Sequence, residues 1–382
     1  MLKGRDGMKS IPAAVVGQKI NEWYRHIKRL NVTDAEMLRD EIKRELDVME
    51  EDEQAVLYFQ LMDFRHEQML EYVNPSQNQV NKADYLRAVE GEGKKLTGIM
   101  EYYVHFFKGM YEFSKGEYIK AIAFYRQAEK KLDKVADELE RAEFYYKMSE
   151  IFYHMKQTHL SMYYIEQAYH AYKAHKANGI YEIKVIQCRF VIAGNYDDLC
   201  THEKAIPHLK EAEESARNLG NKYMLAEALL NLGDSYKNMG DQDRALYFLI
   251  KAVDQAKESG AKELTQIYYE LALLHFKKKE HESGKHYFEL GVESAERFND
   301  WFFMNLLNVL KALYLEGAQP TAVADTLDEL DDIRGYPYLE ELALVSAEFY
   351  TELGHMDDSV YFYNKMIYAQ KQIRRGEFLY EI

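Results

Sequence analysis

Apolar residues recur at three- and four-residue intervals along nearly the whole chain, the period of helices that bury one stripe. Near the start, Val15, Val16, Ile20, Trp23, Tyr24, Ile27 and Leu30 form such a stripe, opened by Ile11-Pro12. Thr33-Asp34-Ala35-Glu36 has the form of a capping box and predicts a second helix carrying Met37, Leu38, Ile42 and Leu46. A third apolar helical run is Ala55–Tyr72. Three helices with short connections predict a small bundle over residues 1–76. Asn74-Pro75-Ser76-Gln77-Asn78-Gln79 is polar and turn-rich, and a linker with a connecting helix is expected over 77–101.

Beyond that point the pattern repeats. Ala121, Ser161, Ala205, Ala245 and Gly284 are spaced 40, 44, 40 and 39 apart. A large apolar residue follows each by four, and another small residue follows by seven. A third small set, Gly109, Ser149, Ala193, Gly233 and Ala272, precedes each by twelve. Ser359 repeats the pattern with Ala347 and Tyr363, which leaves room for one degenerate unit around Trp301–Asp332. Small residues in phase on two antiparallel helices let them approach closely, with a large side chain filling the next gap. This is tetratricopeptide logic, with longer helices or loops than the usual 34-residue unit. The expected fold is all-α: an N-terminal three-helix bundle plus a tetratricopeptide-type helical repeat superhelix, with about seven repeats over 102–382.

Composition narrows the function. Lys and Arg number 49 against 64 Asp and Glu, a net charge of −15. Such a chain lacks the cationic surface that phosphate contact needs, so no nucleic-acid partner is expected. Cys188 and Cys200 match no zinc or redox spacing, and no disulfide framework is possible. No apolar run is long enough to span a bilayer, so no membrane partner is expected and the protein is placed in the cytoplasm. Gly91-Glu92-Gly93-Lys94-Lys95 lacks the spacing of a phosphate loop and any strand before it. The pairs His154/His159 and His281/His286 are five apart and do not share a helix face, so no metal site is expected. Asn31-Val32-Thr33 matches a glycosylation sequon that a cytoplasmic chain would not use, and Thr33 is explained as a helix cap.

Two surfaces remain. Met49-Glu50-Glu51-Asp52-Glu53-Gln54 sets four carboxylates and one amide between the second and third helices. Its plainer reading is a turn kept soluble by charge. The second surface is the concave face of the array, where the repeat register places Asp197, Asp198, Asn231, Asp234 and Glu270 in consecutive units. An Asn can donate to and accept from one peptide unit, while acids attract a basic residue or a free amino terminus. The plainer reading here is a hydrated groove. A generic tetratricopeptide scaffold or co-chaperone that clamps an acidic tail would need a cationic groove instead.

Asn21-Glu22-Trp23-Tyr24, Met49-Glu50-Glu51, Phe64-Arg65-His66 and Leu96-Thr97-Gly98 resemble segments of a known family. So do Phe107–Phe113, Met155-Lys156-Gln157-Thr158 and Phe190–Asp198. Together they resemble the Rap proteins, the response regulator aspartate phosphatases of spore-forming bacilli, over essentially the whole chain. The resemblance implies that the bundle binds a response regulator. It also implies that the repeat groove binds a short, re-imported signalling peptide that relieves inhibition, with Asn195 joining the groove residues. Some members hydrolyse the regulator's aspartyl phosphate. Others, without chemistry, sequester a response regulator transcription factor from DNA. In phosphatase members a bundle Gln orients the attacking water. Ungapped alignment puts Glu53 at that position with Gln54 one residue later, so the expected catalytic candidates are Gln54 and Glu53. A carboxylate there meets the phosphoryl group with like charge, whereas an amide aligns water without repulsion. The expected activity is a protein aspartyl-phosphate phosphatase with no cofactor in this chain, the magnesium belonging to the partner regulator.

Overall fold

The computed structural model describes residues 10–29, 31–73, 98–175 and 181–375. The proposed linker segment 74–79 and Gly91–Lys95 lie outside them. Helices α1 (Ala13–Lys28), α2 (Val32–Leu46) and α3 (Glu53–Val73) form the bundle. Seven helix pairs follow: α4 (Ile99–Ser114) with α5 (Tyr118–Glu129), α6 (Glu138–His154) with α7 (Thr158–Ala174), and α8 (Glu182–Asp198) with α9 (His202–Asn218). Then come α10 (Lys222–Asn238) with α11 (Gln242–Ser259), α12 (Leu264–Lys277) with α13 (His281–Phe298), α14 (Trp301–Tyr314) with α15 (Pro320–Asp328), and α16 (Tyr336–Glu352) with α17 (Met356–Arg375). The fold is all-α, and no strand occurs among the described residues.

The chain divides into two compact units, Met1–Asp137 and Glu138–Ile382. In the first, the bundle closes over Trp23, whose indole N–H donates to His66 Nδ1 at 3.0 Å. Arg39 ties α2 to α3 through Asp63 and Glu67. Tyr24 and Phe64 meet Tyr103 and Phe107 of α4 with ring centroids 5.7–6.4 Å apart, so the bundle core continues into the first helix pair.

The repeat register corresponds to direct contacts. A Cβ on Gly233 would fall 2.6 Å from Leu249 Cγ, and one on Gly109 would fall 2.3 Å from the Tyr125 ring. Each glycine therefore admits the large residue four places after the next small one. Where serine holds the register it bonds across the pair: Ser161 Oγ donates to the Ser149 carbonyl at 2.9 Å, and Ser359 Oγ to the Ala347 carbonyl at 3.0 Å. The degenerate unit is α14–α15, shortened because its second helix has only nine residues.

One cap differs from expectation. The second helix starts at Val32, and its N-cap is Asn31, whose side chain accepts from the Asp34 N–H. Thr33 therefore lies inside the first turn. Asn reaches the N3 amide from one residue before the helix, which the Thr-x-x-Glu pattern concealed.

Candidate functional site

The acidic turn of the bundle is fixed at both ends. Ile11 donates its N–H to the Val48 carbonyl at 3.1 Å, and Glu50 donates to the Ile11 carbonyl at 3.0 Å, pinning the chain ahead of α1 beside the α2–α3 turn. Asp52 then caps α3: its Oδ1 accepts from the Gln54 and Ala55 N–H groups at 2.9 and 3.0 Å. Glu53 and Gln54 thus occupy the first turn of a 21-residue helix, and both are exposed. They are about 100° apart around the helix axis. Gln54 lines a cavity of about 460 Å³ with Asn21, Asp52, Tyr58, Met100 and Tyr103, while Glu53 does not. Among these, the Tyr58 hydroxyl donates to Asn21 Oδ1 at 2.7 Å.

The groove candidates gather on the first helices of successive pairs in the second unit. Asp197 and Asp198 end α8. Asp197 accepts from the Ser235 hydroxyl of α10 and pairs with His202 Nδ1 at 2.8 Å. Burial pushes its carboxyl up, against the pull of those two partners. Asp198 pairs with Lys156 Nζ at 2.6 Å, and burial raises it as well. Asn195 is fully buried; its amide donates to Ser161 Oγ at 2.9 Å, and its Oδ1 has no partner among the described residues. Asn231 is half-buried and donates to the Glu227 carbonyl one turn back, at 2.7 Å. Asp234 has a buried Oδ1 with no partner among the described residues. Burial and then neighbouring Glu270 hold the Asp234 carboxyl well above the usual range. Glu270 is almost wholly buried and accepts from Lys237 Nζ at 2.7 Å.

The structure links Asp197 to α10 through Ser235, Glu270 to α10 through Lys237, and Asn195 to α7 through Ser161, whereas Asn231 bonds within its own helix. It also shows that most of these acids have partners within the chain. Four further residues escaped the sequence reading. Lys237 holds the same register position as Asp197, four after the small residue, and its partners lie on other helix pairs, which leaves no local signal in the sequence. Tyr153 holds that position in α6, and a Cβ on Gly194 would fall 2.6 Å from its ring. Glu227 and Glu341 both lie six before the small residue of their units. Burial, and then Glu263 and Glu150, push Glu227 up to about 8. Cys188 is buried and Cys200 is exposed, and both are free thiols.

Comparison with known proteins agrees with this architecture. A family model described as response regulator aspartate phosphatase H, N terminal, matches residues 10–71, and tetratricopeptide repeat models match 226–258 and 265–298. The chain is 47% identical over 378 residues to response regulator aspartate phosphatase E of Bacillus subtilis strain 168, covering 98% of this chain and 100% of that protein. It is 42% identical over 377 residues to phosphatase A of the same organism, covering 98% and 99%. A crystal structure of a Rap protein complexed with competence and sporulation factor superposes with a TM-score of 0.89 at 34% identity, covering 95% of this chain and 99% of that one. A bundle followed by seven helix pairs of this kind defines a tetratricopeptide-repeat protein. The chain belongs to the Rap family, the response regulator aspartate phosphatases.

Proposed function

We propose that this protein binds a phosphorylated response regulator through α1–α3 and promotes hydrolysis of its aspartyl phosphate. The reading is carried by the end-to-end match to a response regulator aspartate phosphatase at 47% identity. It is supported by an exposed amide, Gln54, held on a capped first turn. Aspartyl phosphate is an activated acyl phosphate, so the protein's task is to position rather than to activate. In this reading the Gln54 side chain orients a water on phosphorus. The water oxygen bonds to phosphorus as the P–O bond to the aspartyl oxygen breaks, releasing the free carboxylate and inorganic phosphate that carries the water's protons. The magnesium that neutralises the phosphoryl oxygens is supplied by the regulator. Glu53, about 100° away on the same turn, contacts the rim of the regulator's site.

The second half of the proposal is control. A short peptide carrying a basic residue occupies the lining built by Asp197, Asp198, Asn231, Asp234 and Glu270, and inhibits the activity. Acids already raised by burial gain a cation there, so binding expels protons and strengthens as pH rises. A response regulator and a peptide as partners support a site of action in the cytoplasm. The test is to incubate the protein with a single-domain response regulator labelled on its phosphoryl group. Loss of label that stops with Gln54→Ala supports the reading. Tight binding with the label retained would instead favour sequestration.

A further inference from the structure

Lys237 sits near the end of α10, and its ammonium lies between two carboxylates from other pairs. Nζ is 2.7 Å from Glu270 Oε2 of α12 and 3.0 Å from Glu341 Oε1 of α16, 104 residues further along the chain. The side chains of Lys237 and Glu270 are 15% and 4% exposed, so solvent screens this contact weakly. Asp234, one turn earlier on α10, faces the same ammonium. Burial works against the Lys237 charge, but Glu270, Glu341 and Asp234 outweigh it and hold its pKa well above the usual lysine value. Burial likewise opposes ionisation of Glu341, and Lys237 overrides it and keeps that carboxyl low. Where the α6–α7 turn meets α17, Gln157 Nε2 also reaches the Ile373 carbonyl, at 3.4 Å.

We propose that Lys237 is a positioning residue of the groove, supplying from within the chain the cation that draws α16 onto α10 and α12 and so sets the groove's width. Without the ammonium, Asp234, Glu270 and Glu341 would face one another with like charge in a partly dehydrated space. Relief comes by protonation or by moving apart. Since α16 comes from a distant pair, it is the element that can move. In a repeat array each pair is held mainly by its neighbours, so a tie that skips two pairs constrains curvature more than local stability. The consequence for the ligand rests on the peptide reading above. A groove held at the right width binds with less ordering cost, so Lys237 raises peptide affinity without touching the peptide.

The test uses the full-length protein with Lys237→Met and Lys237→Arg, read first by hydrogen exchange with no peptide present. Lys237→Met should speed exchange in α16 by about tenfold while leaving α7 and α9 unchanged, and Lys237→Arg should restore it. Glu341→Gln gives a second route should Lys237→Met fold poorly, and it should loosen α16 in the same pattern. Unchanged exchange in α16, or equal acceleration across all helix pairs, would overturn the proposal. The peptide arm uses a free-ended pentapeptide with one arginine, chosen from a random pool by binding to the native protein. Its affinity should fall about tenfold in Lys237→Met. A rise in affinity would mean that Lys237 occupies the ligand's place, and would also overturn the proposal. If no pool member binds the native protein, the peptide reading fails and the exchange measurement still decides the role of Lys237.

Discussion

Gly233 shows how one residue sets the spacing of a helix pair. A methyl there would fall 2.6 Å from Leu249 Cγ and 2.8 Å from its Cδ2, so Leu249 must change rotamer or the helices must part. Alanine gains about 1 kcal/mol of helix propensity, and overpacking costs about 1–3 kcal/mol. Gly233→Ala is therefore expected to be net destabilising by about 1 kcal/mol in urea unfolding. Glu227 gives a pH-dependent counterpart. Its carboxyl is raised to about 8 by burial and then by Glu263 and Glu150, so the folded protein keeps a proton that the unfolded chain releases near its ordinary value. From the ordinary glutamate range up to about 8 the unfolded state binds fewer protons, and stability falls as pH rises. Glu227→Gln should flatten the decline of Tm between about pH 5 and 8. Both side chains were in view in the sequence. The glycine was readable because it recurs in phase, whereas Glu227 was not, because its burial comes from neighbours on other pairs.

At the scale of the element, the turns were harder to read than the helices. Every helix pair needs a left-handed residue where its two helices meet. Gly116, Gly240, Gly317 and Gly354 provide it with φ of 78°, 79°, 82° and 77°, but Lys156, Cys200 and Lys279 adopt φ of 56°, 54° and 62°. Four glycines in this series were visible, and the three substitutions hid the rule. A non-glycine residue in that region costs about 1–2 kcal/mol, partly offset by glycine's greater freedom when unfolded. Cys200→Gly should therefore raise stability by a few tenths to about 1 kcal/mol, measured as the shift in urea midpoint. Lys156 turns the same geometry to use, since its left-handed backbone accompanies the ion pair to Asp198 at the groove. The cap of α3 links an element to function. Asp52→Ala removes the acceptor for two N–H groups and should cost about 1 kcal/mol of stability. It should also lower phosphatase turnover more than regulator binding, because Gln54 loses its fixed first turn.

For the molecule as a whole, periodicity and small-residue phase announced an all-α chain of a bundle and about seven helix pairs. Two features were beyond them. The compact units part between Asp137 and Glu138, and the first contains the aromatic layer of Tyr24, Phe64, Tyr103 and Phe107. That layer joins segments far apart in sequence. The internal cations of the groove, Lys156 and Lys237, were equally hidden, since charge partners across pairs leave no local pattern. Regulator and peptide are expected to oppose each other through a coupling of about 1–3 kcal/mol, acting equally in both directions. The net charge of −15 should make peptide association slow as salt is raised. The central claim is the chemistry at the bundle, and one measurement tests it most directly. A single-domain response regulator carrying a labelled phosphoryl group is incubated with native protein, Gln54→Ala or Glu53→Gln. Rapid loss of label with native protein, and its abolition in Gln54→Ala with binding retained, is the predicted result. Label loss at the same rate in Gln54→Ala as in native protein, or no loss with any of the three, would contradict it.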